Sequence, residues 1–384
     1  MFGESHVIKK KETRDVGLAR RHVTRRLRES LLPTQSRTTD AMSELAHSSE
    51  TLLPPLAAAS YIACVAGAGA LTNCSVLAAL IKTSRSGLLT LILQLAVADF
   101  LLGASICPEI WSFNTRSWLF GNRSCIAYRG INVFASTVSS YLVVTIALHS
   151  LATVNFEEKA IKKEIKRSRH DDEDEIRCSR HSLVTSDSST PRTMNLDYRL
   201  TVKTISVIQP TVFIWILSLS LSVPEFVLAS TVYHDEDIVL CTLVDTSQWL
   251  HMYSILTLFN LFLPIIVMTA AGVLVSIKLR IKNILTQIDC FESVAALKLS
   301  LWLIITYMLL CAPRSLVTAF NVYSKTTPTN QTSLDVDDEM VSVNLATSSM
   351  YMLSTLVRPL MSIILVPRVR KMFSFGTYTP PDNV

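Results

Sequence analysis

Ionisable side chains inside apolar stretches are the residues in this sequence best placed to do chemistry. Arg129 and Arg314 lie within such stretches, while Glu109 and Glu225 lie near the ends of two others. A charge inside a membrane-spanning helix is costly and usually faces a polar cavity. Two interpretations stay open: the arginines bind acidic groups of a ligand, or they pair with the two glutamates.

Catalytic patterns have little support. His170, Cys178 and His181 have a loose metal-like spacing, but no second cluster completes a zinc site, so we expect surface residues there. No phosphate-binding loop, nucleophile elbow or paired-carboxylate arrangement occurs in a context that would make it work. We therefore expect no enzyme, no metal site and no cofactor.

The composition indicates a protein that faces lipid. Of 384 residues, 49% are hydrophobic and only 17% are charged, whereas soluble chains carry about 25% charged residues. The formal net charge of +5 argues neither for nor against nucleic acid, and no nucleic-acid partner is expected. The bilayer is the expected surrounding.

Seven apolar stretches each approach or exceed the roughly 20 residues that a helix needs to cross a bilayer. The predicted spans are 56–81, 88–111, 126–154, 205–230, 250–277, 297–320 and 341–366. The predicted fold is all-α, a seven-transmembrane helix bundle over 56–373 with a short C-terminal tail at 374–384.

Loop charges predict the orientation. Basic residues follow helices one, three and five and fill the C-terminal tail: Lys82, Arg85, Lys278, Arg280, Lys282, Lys298, Arg368, Arg370 and Lys371. The opposite loops carry only Arg116, Arg123 and Lys325. Positive-inside bias puts the C-terminus in the cytoplasm and the N-terminus outside. We expect the plasma membrane as the location of the protein. Glycosylation sequons at Asn122 and Asn330 fall in the loops predicted to be outside.

Two polar segments interrupt this pattern. Residues 1–55 form a basic tail with ten Lys or Arg in its first 40 residues, which opposes translocation. Three explanations stay open: Met42 is the natural start, the tail is simply disordered, or it serves targeting or lipid binding. The cytoplasmic insertion at 155–203 mixes charges and serines and is predicted to be disordered. Its serines are candidate phosphorylation sites, or the segment is a solvated linker.

Cysteine placement adds one constraint. Cys125, at the outer end of helix three, and Cys241, in the second outer loop, are the two cysteines on the oxidising side. Two outward cysteines in one compartment predict one disulfide, which would pin that loop onto helix three.

An ordered series of landmarks runs through the spans: Asn73, Asp99, Trp118, Cys125, Trp215, Pro224, Pro264, Pro313 and Pro359. Over 56–373 the chain resembles the rhodopsin-like G protein-coupled receptors. The resemblance implies an extracellular ligand, transmission by helix movement, and a G protein or arrestin as cytoplasmic partner.

Four switch positions depart from that family. His149-Ser150-Leu151 replaces Asp-Arg-Tyr at the end of helix three, and Cys311 stands where helix six carries a tryptophan. Arg358 replaces the asparagine before Pro359, with Ser362 in place of the motif's tyrosine, and Gly272 replaces a tyrosine on helix five. The resemblance therefore implies the fold, whereas ordinary G protein coupling is not implied.

The resemblance also suggests a ligand pocket. Its predicted members are Glu109, Arg129, Asn132, Glu225, Cys311 and Arg314. Asn132 stands where amine receptors hold an aspartate, which disfavours a biogenic amine. Acidic outer loops favour a basic peptide, such as a neuropeptide, by raising its local concentration. The alternative is a solvated, glycosylated surface without a steering role.

A second intramembrane site is predicted around Asp99. Related receptors hold a sodium ion between this carboxylate, a serine on helix three and an asparagine on helix seven. Here Ser139 is retained, but Arg358 takes the third position. We interpret Arg358 as a tethered replacement for the ion, engaging Asp99 through two parallel hydrogen bonds. In the alternative, Arg358 extends to the cytoplasmic face and Asp99 is protonated.

Two function classes follow. The first is a receptor for a peptide or similar ligand, and the second is a decoy, chaperone or dimer partner that has lost coupling. A transporter is disfavoured because inverted repeats and paired broken helices are not evident.

Overall fold

The computed structural model describes residues 51–81, 86–179, 206–233, 238–243, 255–284, 291–324 and 338–373. Within these ranges, seven helices are long and apolar enough to cross a membrane. The predicted all-α bundle of seven spans is confirmed, and the chain has the architecture of a multi-pass membrane protein. Residues 1–50 and 374–384, which make up nearly all of the predicted tails, lie outside the described residues.

The spans are close to their predicted positions. The first four helices are α1 (Pro55–Ile81), α2 (Gly87–Thr115), α3 (Gly121–Ser179) and α4 (Ile208–Leu228). The fifth, α5, contains a π-helical turn at Leu258–Phe262 and a helix at Leu263–Ile284. The sixth, α6, runs through Phe291–Thr306, a π-helical turn at Tyr307–Cys311, and Ala312–Ser324. The last two are α7 (Asp338–Leu365) and the short α8 (Pro367–Phe373).

The two π-helical turns come just before prolines. Pro264 and Pro313 follow the turns within two residues, and each proline ring would clash with the carbonyl four residues back in a regular helix. A wider turn relieves that clash. It also frees carbonyls, since Phe259 O accepts from the Tyr141 hydroxyl at 2.8 Å and Asn260 O accepts from Tyr307 at 3.4 Å.

Helix α3 is the centre of the bundle, packing against α2, α4, α5 and α6. It continues to Ser179, beyond the predicted end at 154, so the helix covers the start of the segment expected to be disordered. Contacts with neighbouring helices stabilise the part of α3 around its predicted end. Leu151 and Val154 are buried against α5 and α6, and Glu158 accepts a hydrogen bond from Lys278 on α5 at 2.8 Å. Residues 180–205 lie outside the described residues.

A β-hairpin, which the sequence reasoning did not anticipate, directly follows α4 and packs against α3. Strand β1 (Ala229–Tyr233) pairs antiparallel with β2 (Val239–Leu243), and Thr231 lies opposite Cys241. Helix α4 therefore ends at Leu228, two residues before the predicted end of the fourth span at 230. The strands are rich in the β-branched residues that favour a pleated, half-buried surface.

Landmark side chains tie the helices together. Asn73 of α1 donates to the backbone oxygen of Thr355 on α7 at 2.9 Å, and Trp215 of α4 donates to Gln94 of α2 at 3.0 Å. Gly130 of α3 lies so close to α4 that a Cβ atom would fall 2.3 Å from the ring of Phe226. A side chain there would have to push the two helices apart.

Candidate functional site

The inner site joins four helices around Asp99 of α2. Its Oδ1 accepts from Nη1 of Arg358 on α7 at 2.5 Å and from Ser139 of α3 at 3.0 Å. Nη1 of Arg358 also donates to the Ser139 oxygen, and Nη2 donates to Cys311 of α6 at 2.8 Å. The structure thus brings the three predicted residues together, with Cys311 added.

This inner site is sealed from solvent. The side chains of Arg358 and Asp99 are each only 1% exposed. The guanidinium fills the space between Asp99 and Ser139, so the residues present do not fit a sodium ion. The predicted pair of parallel hydrogen bonds is not formed, since Asp99 Oδ2 and Arg358 Nε have no partner among the described residues. Contact with Ser139 and Cys311 turns the guanidinium away from the second carboxylate oxygen.

The outer site is built around Glu109 of α2. Arg314 of α6 donates to it through Nη2 at 2.5 Å and Nε at 3.2 Å. Ser348 of α7 donates to Glu109 at 3.0 Å, and Asn132 of α3 donates at 3.4 Å. The guanidinium also lies 4.7 Å from the ring centroid of Tyr351, a cation–π distance. One carboxylate therefore links α2, α3, α6 and α7.

A second outer pair lies between α3 and α4. Arg129 donates to Glu225 through Nε at 2.9 Å and through Nη2 at 3.4 Å. Glu225 is buried, whereas Arg129 is partly exposed. Of the two interpretations of the sequence, the structure favours pairing of both arginines with glutamates.

Cys311 does not lie with the other predicted pocket residues. It is buried, and it contacts Arg358 in the inner site rather than Glu109 or Arg314. Cys311 is the last residue of the π-helical turn in α6, three residues and almost one turn before Arg314. Cys311 therefore lies on roughly the same side of α6 as Arg314, but one turn away along the helix and next to Arg358.

Two of the three altered residues at the end of α3, Ser150 and Leu151, pack against α6. The buried Ser150 accepts a hydrogen bond from Ser300 at 2.9 Å and donates to the backbone oxygen of Ile146 at 2.8 Å. Leu151 belongs to a buried cluster that spans α3, α5 and α6. His149 is half-buried and faces α2, where a Cβ at Gly87 would lie 2.7 Å from its Nε2. Neutral hydroxyls and apolar packing thus hold α3 against α6.

The disulfide predicted between Cys125 and Cys241 is present, with Cα atoms 5.6 Å apart. It anchors strand β2 to the start of α3, beside the buried Trp118. Asn122, the first predicted sequon, is exposed, and its side-chain oxygen accepts from the Thr231 backbone at 2.9 Å. Asn330, the second, lies outside the described residues.

A cavity of about 420 Å³ lies between α5 and α6, and its lining includes no residue of the three ion pairs described above. Gly272, which stands in place of the expected tyrosine, lines it with Ile304 and Arg280. A Cβ at Gly272 would make ordinary contact with Ile304 at 3.6 Å. The lining is largely apolar, and Arg280 is the charged residue in it.

Sequence reasoning missed a polar stripe along α7. Its members recur every three or four residues, and all are buried: Ser348, Tyr351, Thr355, Arg358 and Ser362. That spacing places them on one helical face, so the pattern could have been found. Among the described residues, no three His, Cys, Asp or Glu side chains could hold a metal ion together. The side chains of His170, Cys178 and His181 are outside that description.

Comparison with family models and with curated proteins finds no match for this sequence. The geometry of the two intramembrane sites and the arrangement of the seven spans are therefore the features that indicate function.

Proposed function

We propose that the chain is a plasma-membrane receptor built like the rhodopsin-like G protein-coupled receptors, with its N-terminus outside and its C-terminus in the cytoplasm. The observation that carries the proposal is the outer site, where the Glu109 carboxylate bonds to groups on α3, α6 and α7. A ligand that changes the partners of Glu109 or Arg314 alters contacts among four helices at once. Such differential contact is what a ligand needs to shift a conformational equilibrium.

The loop charges and the disulfide support this orientation. Disulfides form on the oxidising side of a membrane, so the bond between Cys125 and Cys241 favours an extracellular hairpin. Asn122 lies exposed at the same end of the bundle, where a glycan would be attached. The acidic outer loops expected to attract a basic peptide lie largely outside the described residues.

Coupling to a G protein is the step in which the chain departs from the family that it resembles. Ser150 lacks the cationic fork that an arginine offers to a bound G protein, and it bonds instead with Ser300. We expect weak G protein activation by the native chain. The changes His149→Asp and Ser150→Arg together should raise activation, and strong activation by the unmodified chain would contradict this view.

The second candidate is a decoy, chaperone or dimer partner, favoured by the closed contact between α3 and α6. A peptide and small-molecule screen read by surface binding and by arrestin or G protein recruitment separates the two. The screen uses chains starting at Met1 and at Met42. Recruitment supports the receptor, whereas surface binding without recruitment supports the decoy.

Two adjacent serines of α7 supply a matched control for that screen. Ser348 donates to Glu109, while Ser349 donates to the Leu345 backbone of its own helix. Ser348→Ala should weaken a recruitment response and Ser349→Ala should leave it unchanged. Equal effects of the two changes would remove the outer site from the transmission route.

A further inference from the structure

The two outer ion pairs share an asymmetry of exposure. Arg129 is 23% exposed and its partner Glu225 only 2%, while Arg314 is 15% exposed and Glu109 only 7%. In both pairs the arginine side chain is the more exposed member and the glutamate the more deeply buried one.

Hydrogen bonding in the Glu109–Arg314 pair adds to this difference between carboxylate and guanidinium. The two oxygens of Glu109 accept four hydrogen bonds, from Arg314 Nε and Nη2, Asn132 and Ser348. A carboxylate offers about four acceptor positions, so Glu109 is saturated. A guanidinium offers five N–H donors, and Arg314 directs three bonds to described residues, two to Glu109 and one to Asn132. Arg314 thus keeps donor capacity that Glu109 has used up.

We propose that the outer site binds the carboxylate group of a ligand at Arg314, and that Glu109 is a tethered stand-in for that carboxylate. The ligand's acid bonds to the N–H groups of Arg314 that are not engaged by Glu109 and to Asn132, and it weakens the interaction of Arg314 with Glu109. This inference builds on the proposed receptor function and reverses the charge expected of the ligand. A basic peptide remains compatible only if an acidic group, such as its C-terminal carboxylate, enters the site.

Fluorine NMR of the purified full-length chain in detergent micelles tests the proposal with four probes. The two acids are 4-fluorobenzoate, a small organic acid, and N-acetyl-4-fluorophenylalanine, which mimics a peptide C-terminus. Their neutral and basic counterparts are 4-fluorobenzamide and 4-fluorobenzylamine. The chain should broaden the signal of at least one acid and of neither counterpart, and the relative affinity of the two acids distinguishes a small acid from a peptide terminus.

Substitutions then locate the binding group. Glu109→Gln removes the internal competitor and should tighten acid binding roughly tenfold, as the loss of a charge-assisted competitor implies. Arg314→Gln should abolish binding, and Arg314→Lys, which keeps the charge but loses the fork, should weaken it. Arg129→Gln is the matched control and should leave acid binding intact. If Arg314→Gln does not fold, Arg314→Lys and the unmodified chain still decide the question.

Several results would overturn the assignment. Preference for 4-fluorobenzylamine would make Glu109 the anchor, and loss of acid binding on Arg129→Gln would move the site to the other pair. Absence of acid binding in both the unmodified chain and Glu109→Gln at millimolar probe would remove the site altogether. Acid binding without recruitment of any cytoplasmic partner would instead reject the receptor function and leave the acid site standing.

Discussion

The inner and outer sites of this bundle contain the same pair of chemical groups in two environments. In each, an arginine bonds to a carboxylate of α2 at 2.5 Å, from α7 in the inner site and from α6 in the outer site. The inner pair is almost wholly enclosed, at 1% exposure for both side chains, whereas Arg314 is 15% exposed. The two sites therefore contain the same charged groups and differ in how exposed those groups are.

The carboxylates of the two sites also differ in how many hydrogen bonds they accept. The outer carboxylate uses both oxygens and reaches three other helices. The inner carboxylate uses Oδ1 alone, and Asp99 Oδ2 and Arg358 Nε stay unpartnered among the described residues. A partly solvated pair can exchange partners at low cost, whereas an enclosed pair cannot lose one charge without exposing the other to a medium of low polarity. We infer that the inner pair supports the fold and that the outer pair is free to respond to ligand.

The largest expected effect follows from breaking the inner pair. Asp99→Asn or Arg358→Asn alone should destabilise the protein by about 3–5 kcal/mol, since each leaves an uncompensated buried charge. The double change removes both charges and should cost less than the sum of the two. Thermal unfolding in detergent and the amount of protein at the cell surface measure these effects.

A double-mutant cycle decides whether the two inner residues act together. Residues in direct contact show coupling of about 0.5–3 kcal/mol, while independent sites add. Strictly additive losses for Asp99→Asn and Arg358→Asn would show that the pair does not stabilise the bundle. Ser362→Ala, on the same face of α7, is the control, since its hydroxyl donates to the Arg358 backbone rather than to the pair.

Breaking the outer pair should cost less. Glu109→Gln keeps the shape of the side chain, and its one remaining oxygen can still accept on one side, where either Asn132 or Ser348 donates. Arg314 is also less completely buried than the arginine of the inner site. We expect a loss of about 1–3 kcal/mol, the range for a buried group that loses a charged partner. The same unfolding assay tests this value. A loss equal to that of Asp99→Asn would erase the distinction between the two sites.

The hydroxyl pair at the cytoplasmic end supplies a link between α3 and α6 without ionic charge. Ser300 Oγ lies 2.9 Å from Ser150 Oγ and 2.8 Å from the backbone oxygen of Ala296 on its own helix, and both serine side chains are buried. Ser300→Ala should cost about 1 kcal/mol, the usual net contribution of a neutral hydrogen bond. Thermal unfolding again measures it, with the half-buried Ser276→Ala of α5 as control because that hydroxyl bonds to its own helix. A loss as large as that from the inner pair would mean that the hydroxyls, rather than the ions, set the stability.

Much of the fold was predictable because lipid imposes a simple rule on sequence. Each span needs a long apolar run, and the predicted span 88–111 lies wholly within the observed Gly87–Thr115. Contact between Asp99 and Arg358 was expected from the family resemblance, which places the two residues opposite each other, and pairing offsets much of the cost of burying each charge. The disulfide followed from the placement of two outward cysteines in one compartment.

Position along a helix, and local departures from regular structure, limited the rest of the prediction. Cys311 lies almost one turn of α6 before Arg314, and there it contacts Arg358 instead of the outer site. The hairpin at 229–243 escaped notice because its first residues continue the apolar run of α4. Which oxygen of Asp99 would be engaged depends on side-chain packing between four helices, and no pattern in one chain reports it.

The smallest expected effect is the response of the unmodified chain to sodium, which should be none. Nη1 of Arg358 already contacts Asp99 and Ser139, so a sodium ion would have to displace a tethered cation. Replacing sodium with N-methylglucamine at constant ionic strength, which keeps screening equal, should leave the unfolding temperature unchanged.

The variant Arg358→Asn sharpens this test because it removes the tethered cation and leaves the Asp99 carboxylate and Ser139 hydroxyl in place. If that space then accepts an ion, sodium should stabilise the variant by roughly 1 kcal/mol at a concentration several times the dissociation constant. Arg358→Met, which offers no oxygen ligand from α7, is the control and should respond less. A sodium-dependent rise in the unfolding temperature of the unmodified chain would show that Arg358 leaves its place readily, and the inner pair would then resemble the outer one.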